Sequence, residues 1–225
     1  MKPKLFLNKC HETYKFIDEQ TPWEIASKIL LFSRQLLVEH VTEIIGGKED
    51  RNKVIYDLFL DKQDFSDFDL EKTLRRTMQT FRLAGVESQV VLRVMEGFAF
   101  KHFEYDQSKV FIDRDECYEM AYLMIVLQTT MHNPNIKKKL RPIDFINQAK
   151  ACCPKGYDLL PENYINDMYE NIKNEELYSP ISRDWYDSNV GEGDITICNT
   201  KLCKIQDSAK VDQTQFVNSA DLTQK

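Results

Sequence analysis

The sequence predicts an all-α protein, and three observations predict it. Apolar residues recur at spacings of three and four in one segment after another. No segment shows the period of two that marks a strand. Only seven glycines occur in 225 residues, too few for an all-β chain with many tight turns.

The first clear helix start is Thr21-Pro22-Trp23-Glu24. Thr21 is expected at the N-cap, Pro22 at the first helical position and Glu24 closing a capping box. Ile25, Ile29, Leu30 and Phe32 fall on one face. Leu36, Leu37, Val41 and Ile44 continue the spacing until Gly46-Gly47. Val54, Ile55, Leu58 and Phe59 mark a short helix. Ser66-Asp67-Phe68-Asp69 is the next cap. The stripe Leu70, Leu74, Met78 and Phe81 then predicts a helix to about Leu83. Gly85 is expected to end it by taking φ > 0. The following helix runs from Gln89 to about Phe103, with Val90, Val91, Val94, Met95 and Phe98 inward.

Asp113-Arg114-Asp115-Glu116 caps the most apolar helix, Cys117 to Met131. Apolar nearly all round, it is expected to be the buried central helix. Pro142 and Pro161 each suit a first helical position. Tyr164, Ile165, Met168, Tyr169 and Ile172 form a last amphipathic stripe. The helical pattern fades after about residue 178. The expected organisation is one helical domain, 1–180, and a polar tail, 181–225, flexible except for local structure near Ile195–Ile197.

Composition is that of a globular chain, 42% hydrophobic and 29% charged. A net charge of −6 argues against nucleic acid as a partner. The longest apolar run, Ala121–Leu127, is too short to span a bilayer, and no signal peptide opens the chain. A cytosolic protein is expected. The six cysteines (Cys10, Cys117, Cys152, Cys153, Cys198 and Cys203) are scattered, as reduced thiols are. The cysteines and the four histidines lack metal-ligand spacing, so no metal site is expected.

Two stretches carry most of the functional information. Phe81-Arg82-Leu83-Ala84-Gly85-Val86-Glu87-Ser88-Gln89 places a lone carboxylate on a bend before a helix. Leu127-Gln128-Thr129-Thr130-Met131-His132-Asn133-Pro134-Asn135 ends the apolar helix. In this order, within a helical array, they resemble the two signature motifs of the SEC-seven domain. That family is the catalytic domain of guanine-nucleotide exchange factors for Arf-family small GTPases. Thr21–Ala26 is similar to the family's TPEEIA start. Phe59–Phe81 is similar to its F-x-D-x-x-x-F segment. Cys117-Tyr118 with His132–Lys137 is similar to its CYVL…HNPNVK helix and loop, and Leu160-Pro161-Glu162 with Tyr169–Glu175 to its last helix. The resemblance runs collinearly from residue 5 to residue 177.

The resemblance implies about ten helices in a right-handed superhelix with a hydrophobic groove. It implies an Arf-family partner whose switch regions dock there. Glu87 is then a glutamate finger aimed at the nucleotide's phosphates, supported by Gly85 and Gln89. Tyr118, Tyr122, Ile125, Val126, Thr129, Thr130 and Met131 are the groove candidates, and Asn133 a polar contact. No cofactor of its own is implied; Mg²⁺ and nucleotide belong to the GTPase. Regulation then proceeds without covalent chemistry. Membrane association is implied only peripherally, through the partner or further domains, at Golgi, endosome or plasma membrane.

Each assignment has a plainer alternative. Glu87 also suits the dipole at a helix N-terminus. The tyrosine and aliphatic residues also suit a helix core, Asn133 suits local backbone capping, and His132 suits a structural hydrogen bond. Lys137-Lys138-Lys139 suits a solvated face, with at most a weak attraction to Arf or to anionic lipid, because three charges are too few to anchor a protein to a membrane. The first motif departs from the family's L-P-G-E-A/S-Q: Ala84 replaces the Pro and Val86 is inserted before Glu87. Gln128 replaces the usual Asn in the second. The alternatives to an exchange factor are therefore an Arf-binding module without exchange activity and a helical adaptor with no GTPase partner.

Overall fold

In the computed structural model, the described residues are 2–15, 19–32, 38–65, 69–83, 85–106, 110–161 and 163–177. Among them are nine α-helices, one 3-10 turn and no strand, so the all-α expectation holds. Leu36, Leu37, Ser66–Phe68 and the tail with Ile195–Ile197, Cys198 and Cys203 lie outside the described residues.

The chain divides into two compact units after Phe59. The first contains α1 (Pro3–Tyr14), α2 (Thr21–Phe32), α3 (Val38–Ile45) and most of α4 (Asp50–Leu60). Helix α1 packs on α2 and α3, burying Phe6, Leu7 and Cys10. It had no separate expectation, although Pro3 at its start and the Phe6–Cys10 spacing mark it. His11 stacks on Trp23 at 5.5 Å. Thr21 lies inside α2, not before it: the Gln20 carbonyl accepts the first helical bonds, from the Trp23 and Glu24 N–H groups. Pro22 tolerates the second position equally well, because its missing N–H has no helical partner there.

The second unit contains α5 (Leu70–Thr77), α6 (Ser88–Tyr105), α7 (Arg114–His132), α8 (Pro142–Cys152), a 3-10 turn at Tyr157–Leu159 and α9 (Tyr164–Asn174). Helix α7 touches all four other helices of this unit. It buries Cys117, Met120, Ala121, Met124 and Leu127, but one side stays partly open. It is central without being buried all round.

Two sequence-read caps are made as expected. Asp69 accepts a hydrogen bond from the Lys72 N–H at 3.1 Å, and Asp113 accepts one from the Glu116 N–H at 2.9 Å. Asp69→Ala is expected to destabilise the fold by about 1 kcal/mol, measured by urea unfolding with an unchanged m-value.

Helix α5 stops at Thr77, six residues before Leu83. The Thr80 hydroxyl donates to the Thr77 carbonyl at 2.6 Å, the acceptor that the Phe81 N–H would use in a continued helix. Met78, Phe81 and Leu83 are nevertheless buried, so the stripe marked burial correctly and conformation wrongly. Gly85 consequently terminates no helix. Pro161 likewise does not begin α9. The helix starts at Tyr164 after Asn163, which has φ 65°, and Pro161 supplies a turn carbonyl to the Tyr164 N–H. No helix among the described residues is long and apolar enough to cross a membrane.

Candidate functional site

A cleft of about 370 Å³ opens in the second unit between the loop before α6 and the C-terminal half of α7. The helical period puts Tyr122, Ile125, Val126 and Thr129 of α7 on one stripe. These four and Thr130 line the cleft. Tyr122, Ile125 and Val126 are partly exposed, so this stripe is left uncovered rather than packed as core. The Thr129 and Thr130 hydroxyls donate back to the Ile125 and Leu127 carbonyls at 2.8 and 3.0 Å. Helical Thr has this option for its hydroxyl.

The opposite wall comes from the loop and first turn of α6: Leu83, Val86, Ser88 and Val91, with Met78. Gly85 takes φ 81°, the left-handed region that glycine enters at no steric cost. Among the described residues no other glycine does so, and Asn163 is the one non-glycine residue there. The bend thus falls on Gly85, and the β-branched Val86 is spared it.

Glu87 is the N-cap of α6, with φ −61° and ψ 143°. Its carbonyl accepts the first helical bonds, from Val90 and Val91 at 2.9 and 3.2 Å. Its side chain makes no capping hydrogen bond and is exposed. Both its neighbours, Val86 and Ser88, line the cleft; Glu87 itself is not among the lining residues. Gln89 is exposed in the first turn of α6.

Three of the residues named for the GTPase groove stay off the cleft lining, as do Gly85, Glu87 and Gln89. Tyr118 lies one turn N-terminal to Tyr122, with ring centroids 6.4 Å apart. Met131 is partly exposed at the end of α7. Asn133 is the C-cap of α7, where its Oδ1 accepts from the Asn135 N–H at 2.9 Å and its carbonyl accepts from Lys139 Nζ at 3.1 Å. These are local bonds of the loop. His132 Nε2 donates to the Ile172 carbonyl at 2.6 Å, the structural role expected of it.

Met78, Leu83, Val91 and Gln128 were not named as groove residues. Met78 and Val91 read as the inner faces of helices, and Gln128 as a departure from a motif. Gln128 is buried and lines the cleft. Its Oε1 accepts from the Leu177 N–H at 2.8 Å, and its Nε2 lies 3.4 Å from a Glu176 carboxylate oxygen. Arg75 donates to the Glu175 and Glu176 carbonyls at 3.0 and 2.6 Å. The wall of the cleft is thereby tied to the segment after α9. Among the described residues no cluster of three or more His, Cys, Asp or Glu could hold a metal ion.

The Sec7 domain family profile matches residues 1–177. The ankyrin repeat, PH and SEC7 domain containing protein secG of Dictyostelium discoideum is 34% identical over 162 residues, which is 72% of this chain and 16% of that protein. Human cytohesin-2 is 32% identical over 162 residues, covering 72% of this chain and 39% of its own length. This chain therefore spans well under half of either relative. Among solved structures, the Sec7p catalytic domain is similar with a TM-score of 0.62 at 29% identity, over 74% of this chain and 85% of that one. A Sec7 domain bound to ARF1-GDP and complexed with brefeldin A is similar with a TM-score of 0.63 at 28% identity, over 79% and 94%. The chain belongs to the Sec7 domain family.

Proposed function

We propose that this chain is a guanine-nucleotide exchange factor for an Arf-family small GTPase. The observation that carries the reading is Glu87: an exposed carboxylate with no capping bond, set in the chain between two residues, Val86 and Ser88, that line a partly apolar cleft. The solved relative that is bound to ARF1-GDP supports the partner class. Switch-region side chains of the GTPase dock against Tyr122, Ile125, Val126, Thr129 and Thr130. Tyr122 suits such a site, being apolar with a polar tip. Tyr118, Met131 and Asn133 lie outside the cleft lining.

Glu87 acts electrostatically. Brought near the nucleotide, its charge repels the β-phosphate and competes for the Mg²⁺ and the phosphate-binding lysine of the GTPase. The chain binds the empty GTPase best, and reciprocal coupling weakens nucleotide binding. Each tenfold loss of nucleotide affinity takes about 1.4 kcal/mol of differential binding. No bond is made or broken, and the Mg²⁺ and nucleotide are the partner's. Membrane association is peripheral, and the partner and further domains contribute to it.

The test is release of labelled GDP from an N-terminally truncated Arf. Release accelerated by this chain supports the reading, and equal rates with and without it overturn it.

One observation favours a module that binds Arf with little exchange. Val86, the residue inserted relative to the family motif, lines the cleft. An extra residue adds up to about 3.5 Å of chain, and it occupies the wall beside Glu87 instead of bulging into solvent. Deleting Val86 and restoring Pro at Ala84 is expected to speed GDP release, by tenfold for each ~1.4 kcal/mol of phosphate repulsion regained. Helix content by circular dichroism is expected to stay unchanged. A slower deletion variant would show that the longer loop is matched to its own GTPase.

A further inference from the structure

The loop between α7 and α8 concentrates positive charge in an acidic chain. Lys137, Lys138, Lys139 and Arg141 are four cations within five residues, and all are exposed. The acid facing them is Asp144, which takes a two-pronged ion pair from Arg141 at 2.7 and 2.8 Å. Residues 137–144 thus carry 4 − 1 = +3. The remainder of the chain carries −6 − 3 = −9. Thr130, Asn147 and Gln148, which share a shallow cleft with Lys138, Lys139 and Arg141, are neutral.

The loop is braced. Lys139 Nζ donates to the Asn133 carbonyl at 3.1 Å, and the Tyr169 hydroxyl donates to the Leu140 carbonyl at 2.8 Å. Pro142 fixes the start of α8. Next to the cations stands Ile143, 54% exposed. Single exposed aliphatic side chains are common on protein surfaces; Ile143 is set apart by its place beside the lysine run.

The geometry points to residues 137–143 as a contact with an anionic lipid bilayer. Lysines beside a protruding aliphatic residue match a headgroup surface, which offers negative charge outside and hydrocarbon just beneath. A folded acidic protein would match the charges but not the protruding isoleucine. Thr130 lines both this shallow cleft and the candidate GTPase cleft, so a bilayer bound here lies close to the mouth of the exchange site. The inference does not depend on the exchange reading. Each lysine near an anionic surface strengthens binding by roughly fivefold, so the contact is weak alone and salt-sensitive.

The test is co-sedimentation of the full chain with phosphatidylcholine vesicles, with and without phosphatidylserine. Binding is expected only with phosphatidylserine and is expected to fall as salt rises. Combined Lys137→Glu, Lys138→Glu and Lys139→Glu is expected to weaken it by about a hundredfold or more. Ile143→Ser, which keeps every charge, is expected to weaken it by roughly threefold or more. Lys53→Glu, an exposed charge reversal in α4, is expected to leave it unchanged. Circular dichroism checks that each variant is folded. No phosphatidylserine-dependent binding, equal loss in Lys53→Glu, or full binding by the triple variant would overturn the inference. So would retention on heparin without vesicle binding, which would leave a merely solvated or generally polyanion-binding face.

Discussion

Glu87→Lys is expected to abolish acceleration of GDP release while leaving the fold and its thermal unfolding intact. The side chain is exposed at the N-cap of α6 and makes no capping bond there, so little native structure depends on it. Loss of a charge favourable to the helix dipole costs a few tenths of a kcal/mol, and placing a cation there adds a similar amount. The functional cost is of another order. Opposite charges at contact range attract where like charges repelled, so the substituted lysine stabilises the bound phosphates instead of expelling them. The expected loss is about a hundredfold or more in release rate, roughly 2.7 kcal/mol or above. Binding to nucleotide-free Arf through the α7 stripe is expected to persist, because Tyr122, Ile125 and Val126 are untouched. Exchange by the lysine variant at the parent rate would sink the assignment of Glu87. Loss of exchange together with a large fall in melting temperature would instead make Glu87 a structural residue.

The aspartate-capped helix starts were the most legible part of this fold, and one kind of signal explains it. Asp69 and Asp113 satisfy orphan N–H groups within their own turn. That need is local, and the sequence displays it. Helix ends were less legible. The Leu70–Phe81 stripe has helical spacing, yet the chain leaves the helix at Thr77, where the Gln79 and Thr80 N–H groups bond back three residues to the Arg76 and Thr77 carbonyls. A burial pattern does not record where the backbone changes its hydrogen bonding.

The site divides in the same way. The α7 stripe follows from periodicity, and Gly85 at φ 81° follows from the bend that Val86 resists. Gln128 could not be read, because its partners Glu176 and Leu177 lie some fifty residues away. Asn133 was named for a contact with a partner. Its side chain bonds locally to the Asn135 N–H, and its carbonyl takes Lys139 of the same loop.

The largest effect on stability is expected at Glu116, a carboxylate only 4% exposed. Its Oε1 accepts from the Lys155 and Gly156 N–H groups at 2.9 and 3.1 Å. Its Oε2 lies 3.4 Å from the Ile112 N–H. One side chain from the first turn of α7 thus satisfies the backbone on both sides: the segment leading into α7 and the turn after α8. Glu116→Ala leaves the buried Gly156 N–H without this acceptor and the part-buried Lys155 and Ile112 N–H groups to water. An orphaned buried N–H costs about 1–3 kcal/mol, so a loss of roughly 2–3 kcal/mol is expected, a sizeable part of a typical domain's stability. Glu116→Gln keeps one acceptor oxygen for Lys155 and Gly156 and is expected to cost less. Gly156 is the other half of the arrangement. Its φ of −102° is open to any residue, but a Cβ there would stand 2.5 Å from Glu116 Oε2. Gly156→Ala is therefore expected to be destabilising on its own. Combined with Glu116→Ala, it is expected to cost markedly less than the sum of the two single changes, because the oxygen it strikes is gone. Urea unfolding of the two single variants and the double variant measures this coupling. Strict additivity would mean that Glu116 and Gly156 do not meet in solution.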